Sequence, residues 1–153
     1  MLHKLKFIFA VIGIVLSGAM LTTTVYAQEG VKLSDDAGIY KEFGEKAGLV
    51  VLMDDFMVNL LKDPRTMPSF EKVDQKRIKE QLVDQFCFIL NGPCEYKGAK
   101  MKQIHAEAGI NREHFNALVE QLQFAMDKNN VPFRAQNKLL AVLAPMHRDI
   151  ITK

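Results

Sequence analysis

At 153 residues the chain has the length of a single domain. Its 20 Lys and Arg against 18 Asp and Glu leave a formal net charge of +2, and no basic run marks a footprint for nucleic acid. Two cysteines are too few for a disulfide-built scaffold, so a hydrophobic core must hold the fold.

The N-terminus reads as a separate element. Lys4 and Lys6 precede an apolar run from Phe7 to Leu21, followed by Thr22-Thr23-Thr24 and Val25-Tyr26-Ala27. This charged, apolar, small-residue order predicts a secretory signal over residues 1–27, cut before Gln28. A membrane-spanning helix wants about 20 apolar residues, more than this run offers, so no membrane attachment is expected after cleavage. Lys4 and Lys6 are the only charged residues in the segment, and its removal leaves a formal charge of zero. Export to the periplasm, or otherwise out of the cytosol, would place Cys87 and Cys94 where a disulfide persists.

Residues 28–38 are mainly polar and expected to form a flexible arm ahead of a domain over residues 39–153. The first amphipathic segment, Glu45 to Lys62, puts Leu49, Leu52, Met53, Phe56 and Leu60 on one helical face. Asp63-Pro64 ends it, because a residue before proline disfavours the helical region. A second helix runs from about Asp74 to Leu90, with Asp74 as N-cap and Ile78, Leu82, Phe86 and Ile89 as its stripe. Asn91-Gly92-Pro93 stops it. The third, about Arg112 to Asn129, is capped by Asn111 and carries Phe115, Leu118, Val119, Leu122 and Met126. The fourth starts near Pro132 and presents Leu139, Val142, Leu143, Met146 and Ile150, with a kink expected at Pro145. No segment alternates with the period of a strand, so the fold class is all-α.

The stretch from Pro93 to Gly109 breaks this pattern. It has little amphipathic period, yet a compact domain rarely keeps so long a loop without using it. One short apolar turn within it ends at His105. A neutral imidazole so held can bind a haem iron from one side, although on residue type alone a lone histidine on an apolar face is more often a packed core residue. His114 and His147 fall at surface phases and are expected to be solvated, while His3 leaves with the signal. Cys87 and Cys94 flank the chain reversal at Asn91-Gly92-Pro93, near enough for the roughly 5.5–6 Å Cα separation of a disulfide. Two buried thiols or a redox pair are the alternatives.

Several motifs in order resemble the group I truncated haemoglobins. They are Ile39-Tyr40-Lys41-Glu42-Phe43-Gly44, Asp54-Asp55-Phe56, Asp63-Pro64-Arg65, Phe70 and Gly92-Pro93. Tyr96-x-Gly98-x-x-Met101-Lys102-x-x-His105, Gly109-Ile110, His114-Phe115, Val131-Pro132 and Leu143-Ala144-Pro145 complete the set. The resemblance spans about Ile39 to Ile151. It implies a two-over-two helical sandwich around one haem b, with the proximal helix reduced to one turn inside a long loop. His105 matches the proximal iron ligand and Phe70 the aromatic wedge against the porphyrin. Phe86, Met101, Ile110, Phe115, Leu118 and Leu143 match haem-contacting positions, with Ile78, Leu82 and Tyr96 beside them. Burying the apolar disc offers about 25 cal/mol per Å² removed from water.

The distal side departs from the family. A tyrosine there usually donates a hydrogen bond toward the gas, and this chain has Met57. Ile78 and Leu82 make the neighbouring wall apolar. Such a donor is worth about 1.5–3 kcal/mol, and Gln81 and Gln85 are the candidate replacements. The Met57 thioether is itself a conceivable iron ligand.

The resemblance implies reversible binding of a diatomic gas (oxygen, NO or CO) by a monomer or weak dimer. The alternatives are redox chemistry, whether NO dioxygenation, peroxidase-like turnover or electron transfer served by an unidentified reductase, and a haem-free helical interaction protein. Loss of the distal tyrosine and export away from cytosolic reductases weigh against NO dioxygenation. A distal side without charged or imidazole acid–base groups weighs against peroxidase activity.

Overall fold

The computed structural model describes residues 32, 33, 36 and 38–153. The expected signal segment lies outside them. Among the described residues no helix is long and apolar enough to cross a membrane. The elements are α1 (Ile39–Glu42), α2 (Glu45–Lys62), α3 (Met67–Phe70), α4 (Gln75–Ile89), α5 (Met101–His105), α6 (Arg112–Lys128), α7 (Phe133–Leu143) and α8 (His147–Ile150). A 3-10 turn, Ala144–Met146, joins α7 to α8.

Local chemistry sets the helix ends. Asp74 caps α4 by accepting from the Arg77 amide at 3.0 Å, and Asn111 caps α6 by accepting from the His114 amide at 2.8 Å. Asp63, extended as Pro64 demands, closes α2. Pro132 stands just outside α7 as its N-cap rather than as its first residue. The kink expected at Pro145 is the 3-10 turn. The turns α1 and α3 have no counterpart in the periodic reading, because four residues are too few to show a period.

α2 is the centre of the fold and packs on both α4 and α6. Its Leu49, Leu52, Met53, Phe56 and Leu60 meet Val83, Phe86 and Ile89 of α4, Leu122, Ala125 and Met126 of α6, and Ala135 and Leu139 of α7. Each fully buried Leu, Ile or Phe contributes about 1.5–3 kcal/mol. Polar ties fix the periphery. The Asp63 carboxylate accepts from Arg65 Nη2 at 2.6 Å and from Gln121 Nε2 at 2.7 Å, pinning the α2–α3 turn to α6. The described part of the expected flexible arm is also fastened. The Leu33 amide donates to the Ile89 carbonyl at 2.9 Å, and Asp36 accepts from Arg134 at 2.8 Å and from Lys138 at 2.6 Å. These positions carry no apolar period, so a pattern of hydrophobicity does not reveal the anchoring.

The Arg65 guanidinium beside Asp63 holds its carboxyl down at about 2. A depressed carboxyl contributes stability above its unfolded value, near 4, and that contribution fades as pH falls toward 2. Asp63→Asn should therefore lower the Tm at neutral pH, and the gap from the unsubstituted protein should close between about pH 4 and pH 2. Thermal melts by circular dichroism across that range provide the check; a gap that does not change with pH would contradict it.

Candidate functional site

The proximal half is built on α5, five residues long and too short to persist alone. It packs against α8. Its exit is set by Gly109 at φ 62°, a conformation that a Cβ would strain. The Thr152 amide then donates to the Ile110 carbonyl at 2.8 Å, fastening the exit to the chain beyond α8.

His105 is the last residue of α5 and is half-buried. Its Nδ1 lies 2.8 Å from the Met101 carbonyl oxygen. A carbonyl can only accept, so Nδ1 carries the proton and donates. In the neutral ring that leaves Nε2 with its lone pair free. Such an imidazole is oriented by one nitrogen and offers the other to a metal. Among the described residues no three His, Cys, Asp or Glu gather into a metal site. His105 therefore suits a metal that brings its own equatorial donors, as a porphyrin iron does.

The burial of the remaining candidates separates them from ordinary core. Leu49, Leu60 and Leu122 are almost wholly enclosed. By contrast Phe70, Ile78, Leu82, Tyr96, Met101, Ile110, Phe115, Leu118 and Leu143 are only half-buried. Of these, Phe70, Leu82, Leu118 and Leu143 pack one side against the core. Apolar side chains covered on one side are what the wall of an apolar cleft requires. Phe86 is buried outright and belongs to the core itself. Burial also raises the pKa of the Tyr96 phenol, which keeps it a neutral donor.

On the distal side Met57 is buried but stands apart from the main core cluster. Gln85 is 8% exposed and makes no hydrogen bond to any described residue, and its amide atoms keep some contact with solvent. Gln81, expected at the same pocket, is instead exposed. The reason is phase: at 100° per residue Ile78, Leu82, Gln85 and Ile89 share one stripe, and Gln81 sits about 70° from its centre.

His147 is half-buried, with Nδ1 2.8 Å from the Ala144 carbonyl in an exposed contact and its ring 6.3 Å, edge-on, from Phe115. His114 is likewise half-buried. Cys87 and Cys94 form a disulfide with Cα atoms 5.8 Å apart. Two open surface clefts lie away from these residues. One lies beside Asn59, Asp63 and Arg65, the other along Lys46, Asp54 and Lys79, and their charged linings do not suit a haem.

Residues 38–152 match the bacterial-like globin family. The group 1 truncated haemoglobin GlbN of Mycolicibacterium paratuberculosis is 32% identical over 119 residues, covering 78% of this chain and 88% of that protein. The group 1 truncated haemoglobin of Tetrahymena pyriformis is 25% identical over 75% of this chain and 95% of its own. The crystal structure of the Tetrahymena pyriformis truncated haemoglobin in its Fe(III) form superposes with a TM-score of 0.71, at 25% identity, over 75% of this chain and 98% of that one. The 2/2 haemoglobin of Synechococcus sp. PCC 7002, in the cyanomet state and with covalently attached haem, shares the fold at a TM-score of 0.69 and 21% identity, covering 75% of this chain and 98% of that one. The chain belongs to the bacterial-like globin family, as a group 1 truncated haemoglobin with the 2/2 fold, one haem per chain and haem-based gas binding as its general function.

Proposed function

We propose that this globin is an exported haem b protein that binds a diatomic gas reversibly, with His105 as the proximal ligand. The observation that carries the assignment is the His105 Nδ1 to Met101 carbonyl contact of 2.8 Å, which leaves Nε2 as the ligating nitrogen. The haem supplies the iron that takes the gas. Phe70, Met101, Ile110, Phe115, Leu118 and Leu143 would hold its faces and edges, and the buried Met57 would close the distal side with Ile78 and Leu82. The disulfide between Cys87 and Cys94 supports an oxidising compartment, in keeping with the N-terminal segment.

The distal wall favours gas binding over peroxidase-like turnover. Peroxide cleavage wants a positioned acid–base group, whereas Met57, Ile78 and Leu82 neither gain nor lose a proton. The one polar group buried on that stripe is the Gln85 amide, whose N–H is free to donate to a polar gas.

Protein expressed with haem should show a Soret band, and His105→Ala should lose haem or lose the five-coordinate ferrous spectrum. Haem bound equally well by that variant, with the same spectrum, would sink the assignment. A six-coordinate ferrous spectrum that Met57→Leu converts to five-coordinate would instead identify the Met57 thioether as a second ligand. Gln85→Leu should speed oxygen release by roughly ten- to a hundredfold, the equivalent of losing about 1.5–3 kcal/mol of hydrogen bonding. CO release should change little, because CO accepts hydrogen bonds poorly. Unchanged oxygen release would show that Gln85 does not face the gas.

A further inference from the structure

Resting on the haem reading above, we propose that the Cys87–Cys94 disulfide is a redox-operated latch on the proximal loop, opened by a protein dithiol or small dithiol that attacks Cys94. The two cysteines join opposite parts of the site. Cys87 is wholly buried in α4, next to Phe86. Cys94 opens the loop that leads into α5 and His105. Among the described residues, no hydrogen bond connects residues 93–99 to another element, and the ion pair between Lys97 and Glu95 is internal to the loop. A five-residue helix cannot hold such a loop by itself. The covalent bond therefore sets where the chain enters α5.

The same geometry makes exchange one-sided. Cys87 Sγ is shut in: a Cβ at position 92 would approach within 2.6 Å of it, so Gly92 already lies against the sulfur. The Tyr40 oxygen is 3.6 Å from Cys87 Sγ on the other side. A disulfide sulfur has no proton, so the Tyr40 hydroxyl is the donor there. Cys94 is only half-buried and packs at the core's edge. An incoming thiolate therefore forms its bond to Cys94 Sγ. The Cys87–Cys94 bond breaks, and its electron pair leaves on Cys87 Sγ, where the Tyr40 O–H can stabilise the thiolate before it takes up a proton. The reductant's second thiolate then attacks its own sulfur in the mixed disulfide and releases Cys94, which is protonated in turn. The dithiol departs as a disulfide, and the globin gains two electrons and two protons. With the latch open, the loop and α5 gain freedom, and haem leaves faster.

Haem loss from the holoprotein to an excess of a haem-scavenging apoglobin reads the effect. The Cys87→Ser/Cys94→Ser double variant, studied without reductant so that the iron state is unchanged, should bind haem with the same absorption spectrum and lose it about tenfold faster. Wild-type holoprotein reduced with dithiothreitol and freed of it should lose haem equally fast and recover the slow rate on reoxidation, which covers a double variant that fails to fold. Brief treatment with glutathione, acid quenching and peptide mass mapping should place the adduct on Cys94. Equal loss rates in the oxidised and reduced wild type, or an adduct on Cys87, would overturn the latch while leaving the haem reading intact. Failure of the oxidised wild type to bind haem at all would overturn both.

Discussion

The hydrogen bond from His105 to the Met101 carbonyl is the constraint on which the site depends. It is made within a five-residue helix, and it does two things at once: it fixes the plane of the imidazole and fixes which nitrogen is bare. Neither result would hold if α5 were free to fray. The surroundings of α5 are best understood as devices against fraying. α8 packs along it, Gly109 turns the chain away in a left-handed conformation, and the Ile110 carbonyl is taken by the Thr152 amide. Pro145 is part of the same arrangement, because the 3-10 turn it imposes brings His147 against Phe115.

The opposite half of the molecule is governed by burial. α2 lies between α4 and α6 with one continuous apolar face, so the distal side is framed by the best-packed helices in the chain. Rigid packing of this kind lets a single polar group matter. The register of α4 turns Gln85 to the same side as Ile78, Leu82 and Ile89, where it is the buried polar residue. The polar clusters at Asp63 and Asp36 lie outside the core and act as fasteners, joining the α2–α3 turn to α6 and the N-terminal approach to α7.

Much of this was legible in the sequence, for identifiable reasons. α2 was readable because Leu49, Leu52, Met53, Phe56 and Leu60 repeat over about three turns and Asp63-Pro64 marks the stop. Asp74 and Asn111 were readable as caps because a short polar acceptor before an apolar stripe has few other uses. His105 required the family resemblance, since one histidine on a short turn is ambiguous until its partner carbonyl is seen. The failures share a cause. Gln81 and Gln85 differ by about 40° of helical phase, which is enough to separate exposed from buried yet too little to read by eye. α1, α3 and the anchored Leu33 and Asp36 are held by tertiary contacts and carry no period of their own.

Only seven positions separate Cys87 from Cys94. A bond across so short a span restricts the unfolded chain modestly, by about 2–3 kcal/mol on the loop-entropy account. Its significance therefore lies more in where the loop starts than in overall stability. Pairing needs the end of α4 and the Asn91-Gly92-Pro93 reversal, and nothing beyond Cys94. The paired residues are local in the chain, so the bond gives the approach to His105 one starting point without contacts from α6, α7 or α8.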